Sequence, residues 1–153
     1  MGMVTGARSL VFGALLTGSA LADDVRSYTS TAPFDEVKFE LSNAIISRGL
    51  TIDYSGDIAR MLERTGPAVG SVKQLYNRAE FVMFCSAKLS RGMMESDLAN
   101  IGFCPYIVFL YEAAGRPGET VVGYRRPVSA TAPSPSLTDV DALLDAIVRD
   151  AVK

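Results

Sequence analysis

The 153-residue chain has no histidine. Without imidazole, Ser-His-Asp and Cys-His catalysis are excluded, and so are histidine metal sites. Only two cysteines occur, Cys85 and Cys104, and no C-x-x-C or phosphate-binding glycine loop is present. Charge of one sign is lacking as well. A formal net charge of -2 gives no electrostatic drive toward nucleic acid, for which a basic face would be needed. No carboxylate pair stands out: Asp53 falls in a strand-like segment, Asp57 sits where it can cap a helix, and Glu95 and Asp97 end a polar helix face. These read as solvated groups. No cofactor is expected.

Long apolar runs are also missing. The stretch from Leu10 to Leu16 is broken by Gly13 and followed by Thr17 and Gly18, well short of the ~20 apolar residues a membrane anchor needs. It follows Arg8 and leads to Ala20-Leu21-Ala22. A charged start, a short apolar centre and an A-x-A site are the parts of a secretory signal peptide. Residues 1–22 are therefore expected to be removed between Ala22 and Asp23, leaving a periplasmic or secreted protein with no membrane attachment. The remaining roughly 130 residues suit one domain with one core. With 48% hydrophobic and 21% charged residues, the composition is that of an ordinary globule. Outside the cytoplasm, thiols close enough to pair tend to form disulfides, and two cysteines allow one connectivity.

The periodicities predict an ordered series of elements. "VRSYTST" (25–31) reads as a strand. Pro33 opens a helix whose Phe34, Val37, Leu41, Ala44 and Ile45 share a face, and Gly49 ends it. "LTIDYS" is a second strand, and Asp57 caps a short helix carrying Ile58, Met61 and Leu62. Residues 68–77 are ambiguous: Val69, Val72, Leu75 and Tyr76 suit a helix that Gly70 weakens. "AEFVMFCSA" and "CPYIVFLYE" are strands joined by a helical "KLSRGMMESDLA", and "TVVGYRRP" completes a hairpin. A proline-broken linker (128–136) precedes a final helix (137–153), at which Ser136 and Asp139 resemble a capping box. Strands alternate with helices but finish in a hairpin, which predicts an α+β two-layer domain over 23–127.

A sheet covered on one face alternates apolar with polar residues. In "FVMFCSA" and "YIVFLY" both parities are apolar, which predicts burial of both faces of the two central strands. The cover for the second face is either the terminal helix or a second copy in a homodimer.

The stretches "PFDEVKFELSNAIISRGLTI", "FCSAKLSRGMMESDLANIGFCPYIVFLYE" and "VVGYRRP" together resemble the bacterial family called domain of unknown function 302. The resemblance rests on Gly49 before a strand, Met93 with Met94 in a helix, Pro105 opening the next strand and Tyr124 near the end of the last. It covers about Val25 to Pro127. It implies a compact α+β fold, often dimeric, with no established activity and nothing catalytic to carry over. The cysteines depart from the commoner pattern of the family.

Three groups of residues carry whatever chemistry there is. Cys85 and Cys104 flank the two apolar strands. Parallel strands, which a strand–helix–strand link favours, would hold them ~20 Å apart. Antiparallel strands would bring them to one edge, within the window for a disulfide. They are expected to be a structural pair, bonded or in contact. Met93 and Met94 add soft sulfur ligands, so Cu(I) held with Cys85 and Cys104 is an alternative to packing. Arg125, with Tyr106 and Tyr124, is a candidate anion-binding group, only one of Arg125 and Arg126 being able to face a given side. The leading expectation is an exported, non-enzymatic binding or interaction module with an unidentified small ligand or protein partner. The alternative is a thiol-redox or Cu(I)-handling protein using Cys85 and Cys104.

Overall fold

The computed structural model describes residues 24–129 and 133–153. The expected signal segment and its cleavage point lie outside them. No helix among the described residues is long and apolar enough to cross a membrane. Strand β1 (Val25–Ser30) leads to helix α1 (Phe34–Ile46), strand β2 (Ile52–Asp57) and helix α2 (Ile58–Thr65). Strand β3 (Tyr76–Phe84), helix α3 (Ala87–Ser96), strands β4 (Tyr106–Ala113) and β5 (Thr120–Arg125), and helix α4 (Pro135–Ala151) follow. The architecture is α+β. All neighbouring strands are antiparallel in one sheet of order β1-β5-β4-β3-β2.

Local chemistry explains most boundaries. Pro33 fixes the entry to α1, and Gly49, at φ 73°, takes the left-handed turn beyond it. The Asp57 carboxylate accepts the Arg60 N–H at 2.8 Å and so starts α2. The apolar stripes of α1 and α4 meet in one core: Val37, Leu41 and Ile45 from α1 lie with Val140, Leu144 and Ile147 from α4. Met93 of α3 joins them, against Val82 and Phe84 of β3, Tyr106, Val108 and Leu110 of β4, and Val122 and Tyr124 of β5.

One expectation is corrected and two open readings are resolved. Residues 68–77 form no α-helix. A 3-10 turn over Gly66–Val69 ends at Gly70, φ 70°, and Ser71 N–H returns to the Gly66 carbonyl at 2.9 Å. A Cβ on Gly66 would meet that serine's carbonyl oxygen at 2.3 Å, so the chain here is turned too tightly for a continuing helix. Ser136 is not the cap of α4. Pro135 occupies the first turn and Ser134 the capping position, without a side-chain capping bond, while Ser136 Oγ lies 2.9 Å from Ser96 Oγ.

The cover of the sheet was left open between the terminal helix and a second copy. α4 packs beside α1, on the face that α1 already covers, so the terminal helix is not that cover. Within one chain β3 and β4 are buried on one face only. Val82, Phe84, Tyr106, Val108 and Leu110 are buried, whereas on the other face Ile107 is 48% exposed and Tyr54, two strands away across Met83, 59%. Phe81, Met83, Phe109 and Tyr111 are half-buried there. Two of these rings lie down on the sheet. A Cβ on Gly56 would come within 2.4 Å of the Phe81 ring, and one on Gly123 within 2.6 Å of the Phe109 ring. The glycines leave floor space for the aromatics.

Candidate functional site

The antiparallel pairing of β3 with β4 sets Phe84 opposite Tyr106, which brings Cys85 and Cys104 to the same end of the sheet. The chain can make this return despite an intervening helix because α3 is followed by a 3-10 turn over Leu98–Phe103. The Asp97 carboxylate accepts the Ala99 N–H at 2.9 Å at the start of the turn. Buried Asn100 donates its amide to the Met93 carbonyl at 2.8 Å, tying the turn to the end of α3. The two sulfurs are 2.7 Å apart. No bond joins them in the structure, and both are half-buried.

Each sulfur has a second polar neighbour. The Tyr106 backbone N–H hydrogen-bonds Cys85. The Ser90 hydroxyl lies 3.7 Å from Cys104 Sγ and 2.9 Å from the Tyr106 hydroxyl. Burial, then the hydrogen bond and charge of Cys104, push the Cys85 thiol up to about 11, with Asp53 adding to the rise and the Tyr106 N–H opposing it. Burial likewise pushes the Tyr106 hydroxyl up, against the Ser90 hydrogen bond. Two thiols in contact cannot both ionise easily, so a first thiolate is met by the proton of its neighbour.

Beside the pair, the end of the sheet opens into a cleft of about 280 Å³. Phe103 and Pro105, on either side of Cys104, line it with Tyr106, Arg125, Val140 and Leu144, and the peptide bond before Pro105 is cis. Arg125 is exposed, with no ion-pair partner among the described residues. Arg126 faces the opposite way and grips Asp141 of α4. Of the expected ligand-binding residues, Tyr106 and Arg125 thus share the cleft. Tyr124 is fully buried, its hydroxyl donating to Asp141 at 2.9 Å. Met93 is fully buried in the core and Met94 packs partly buried against it. Among the described residues no group of three or more His, Cys, Asp or Glu side chains is placed to hold a metal ion.

Sequence reasoning missed Ser90 and Asp141. Ser90 shares the buried face of α3 with Met93, three residues on, and a polar residue on such a face calls for a partner. Asp141 lies next to Val140 on the docked side of α4 and carried the same signal.

The uncovered sheet face is a second candidate surface. An open groove of about 370 Å³ runs across it, bordered by Val25, Ile58, Tyr76, Phe109 and Tyr111. Tyr76 meets Tyr111 edge-on at 5.4 Å, and Phe109 stacks on Tyr111 at 6.1 Å.

A family model described as Domain of unknown function DUF302 matches residues 26–152. The chain belongs to this family. The DUF302 match continues through α4, which the resemblance in sequence had left outside. The fold is also that of a solved DUF302 protein, an uncharacterized conserved protein from Bacillus stearothermophilus. The two share 15% identity and a TM-score of 0.69, over 85% of this DUF302 chain and 99% of the other. At that identity the likeness concerns the fold alone. No curated protein matches the chain.

Proposed function

We propose that this DUF302 protein is a small exported interaction module whose first partner is a second copy of itself, joined through the uncovered face of the sheet. The observation that carries the reading is the pairing of a helix-covered face with an opposite face bearing Tyr54, Phe81, Met83, Ile107, Phe109 and Tyr111. Apolar surface of this kind gains by leaving water, at about 25 cal/mol per Å². Export is supported by the signal-like start of the sequence.

Size and shape suit a second sheet. Five strands about 4.8 Å apart and about 20 Å long present roughly 500 Å² in plan. Side-chain relief raises that figure, so two such faces reach on the order of 1,200 Å², the lower bound of a standard interface. Phe81 and Phe109, lying flat over Gly56 and Gly123, keep the face level enough for sheets to stack about 10 Å apart. The same patch then meets itself across a two-fold axis.

Sedimentation over a range of concentrations tests this. Wild type is expected at twice the monomer mass, and Ile107→Lys, which charges the central strand on this face without touching the core, at monomer mass with an unchanged circular dichroism spectrum. A wild-type protein that stays monomeric at the highest concentration reached removes the proposal.

A further inference from the structure

We infer that Cys85 and Cys104 form a reversible dithiol–disulfide site that exchanges with an anionic low-molecular-weight disulfide seated in the cleft beside Arg125. This goes beyond self-association and stands independently of it. Three observations converge. The sulfurs are already in contact at 2.7 Å, so forming or breaking a bond between them needs only a small local shift. Both keep part of their surface open to solvent, although Cys104 also packs against the core, whereas inert core cysteines are fully buried. The residues before and after Cys104 in the chain, Phe103 and Pro105, are walls of the cleft that ends at the Arg125 guanidinium, so a reagent held there is one residue away from Cys104 along the chain, and Cys85 has no such neighbour in the cleft wall.

The order of events follows from the neighbours of each sulfur. Cys104, with the Ser90 hydroxyl on one side and the Cys85 thiol on the other, has two hydrogen-bond donors for a thiolate. The Cys104 thiolate attacks one sulfur of the external disulfide RS–SR. The S–S bond of the reagent breaks, one RS⁻ leaves, and a Cys104–SR bond forms. Cys85 then loses its proton and attacks the Cys104 sulfur. The Cys85–Cys104 bond forms as the second RS⁻ departs. The protein gives up two electrons and two protons, and the reagent is recovered as two RSH. Excess dithiol drives the same steps backwards. Arg125 acts before the chemistry, by drawing a carboxylate-bearing reagent into the cleft.

The full-length protein is treated with oxidised glutathione, quenched by alkylation and mapped by mass spectrometry. Both thiols are expected to disappear together into one internal bond, and dithiothreitol is expected to restore them without denaturant. Cys85→Ser is expected to stop at a glutathionyl adduct on Cys104. If that variant fails to fold, acid quenching of wild type at early times captures the same adduct. Cystamine, a cationic disulfide, is expected to react more slowly than glutathione disulfide, and Arg125→Gln to abolish the difference. Thiols that stay free in excess glutathione disulfide overturn the inference, as does a bond that resists dithiothreitol until the protein unfolds. An adduct found on Cys85 alone overturns the order of attack. Equal rates with the two reagents overturn the role of Arg125.

Discussion

Tyr124 donates its hydroxyl hydrogen to the Asp141 carboxylate at 2.9 Å, fastening a fully buried ring of the sheet to the helix that covers it. The same carboxylate takes two bonds from Arg126, at 3.2 and 3.1 Å, and lies 3.5 Å from Arg26. One turn on, Asp145 accepts the Tyr28 hydroxyl at 2.5 Å and pairs with Arg26 and Arg149. Two carboxylates of α4 thus engage both β1 and the C-terminal end of β5. Asp141→Ala removes the shared acceptor and is expected to cost about 1.5–3 kcal/mol, the range for hydrogen bonds to a charged group. Tyr124→Phe leaves the Arg126 bonds to Asp141 in place but also loses the 3.4 Å contact from Arg26, and is expected to cost about 1.5 kcal/mol, the low end of that range. Urea unfolding measures both, and an Asp141→Ala variant as stable as wild type would show that the clamp contributes nothing.

The acid limb of stability should report Asp145. Burial raises its pKa, but the hydrogen bonds from Tyr28, Arg149 and Arg26 outweigh that and hold the carboxyl below its ordinary value of 3.8. Below that value the unfolded chain takes up protons before the native one does, so the contribution of Asp145 is complete above about pH 4 and fades as pH falls further. Asp145→Asn is expected to flatten that limb in melting curves taken from pH 5 to pH 2.5.

The alkaline limb should report Cys85. Its thiol is raised from 9.0 to about 11 in the folded protein, so above pH 9 the unfolded chain gives up this proton first. Stability is then lost as pH rises from about 9 to 11. Cys85→Ser is expected to remove that part of the decline, and an identical slope in variant and wild type would contradict the assignment.

The two floor glycines differ in what they would displace. A Cβ on Gly123 meets the Arg26 carbonyl oxygen at 2.6 Å as well as the Phe109 ring and Ser27, so backbone must move. The three atoms nearest a Cβ on Gly56 all belong to the Phe81 ring, which can swing outward. Gly123→Ala is expected to lose about 1–3 kcal/mol, as overpacked sites do, and Gly56→Ala less. Thermal denaturation of the two variants side by side decides it, and a reversed order would refute the account.

Truncation after Pro127 removes α4 and uncovers the core. Leu137, Val140, Leu144, Ile147 and Val148 are all buried, at about 1.5–3 kcal/mol each, against a whole-domain stability of about 5–15 kcal/mol. The truncated chain is expected to be unfolded by circular dichroism. A folded, cooperative fragment would mean that α4 is an appendage.

Elements with strong local signals were legible in the sequence. Pro33 and Gly49 bracket α1, Asp57 caps α2, and the apolar runs around Val82 and Val108 mark the central strands. The α+β class followed from their order. The neighbours of those elements were harder to read, because periodicity reports burial and not which surface supplies it. Phe81 and Phe109 made both parities of β3 and β4 apolar, yet their rings lie over Gly56 and Gly123 on the face that α1 and α4 leave open. The meeting of Cys85 with Cys104 hung on strand direction. The Leu98–Phe103 turn that decides it is held by Asn100 and Asp97, whose polar bonds leave no periodic trace.

The pairing of β1 with β5, register Val25 to Arg125, has a bearing on time as well as shape. The first strand to emerge during synthesis finds its neighbour only after about a hundred further residues have been made, and the core waits longer still for α4. Contacts this distant along the chain are slow to form, and no earlier portion holds both a closed sheet and its helical cover. The β2–β3–β4 part of the sheet can pair early, but the core is completed only when synthesis is nearly done.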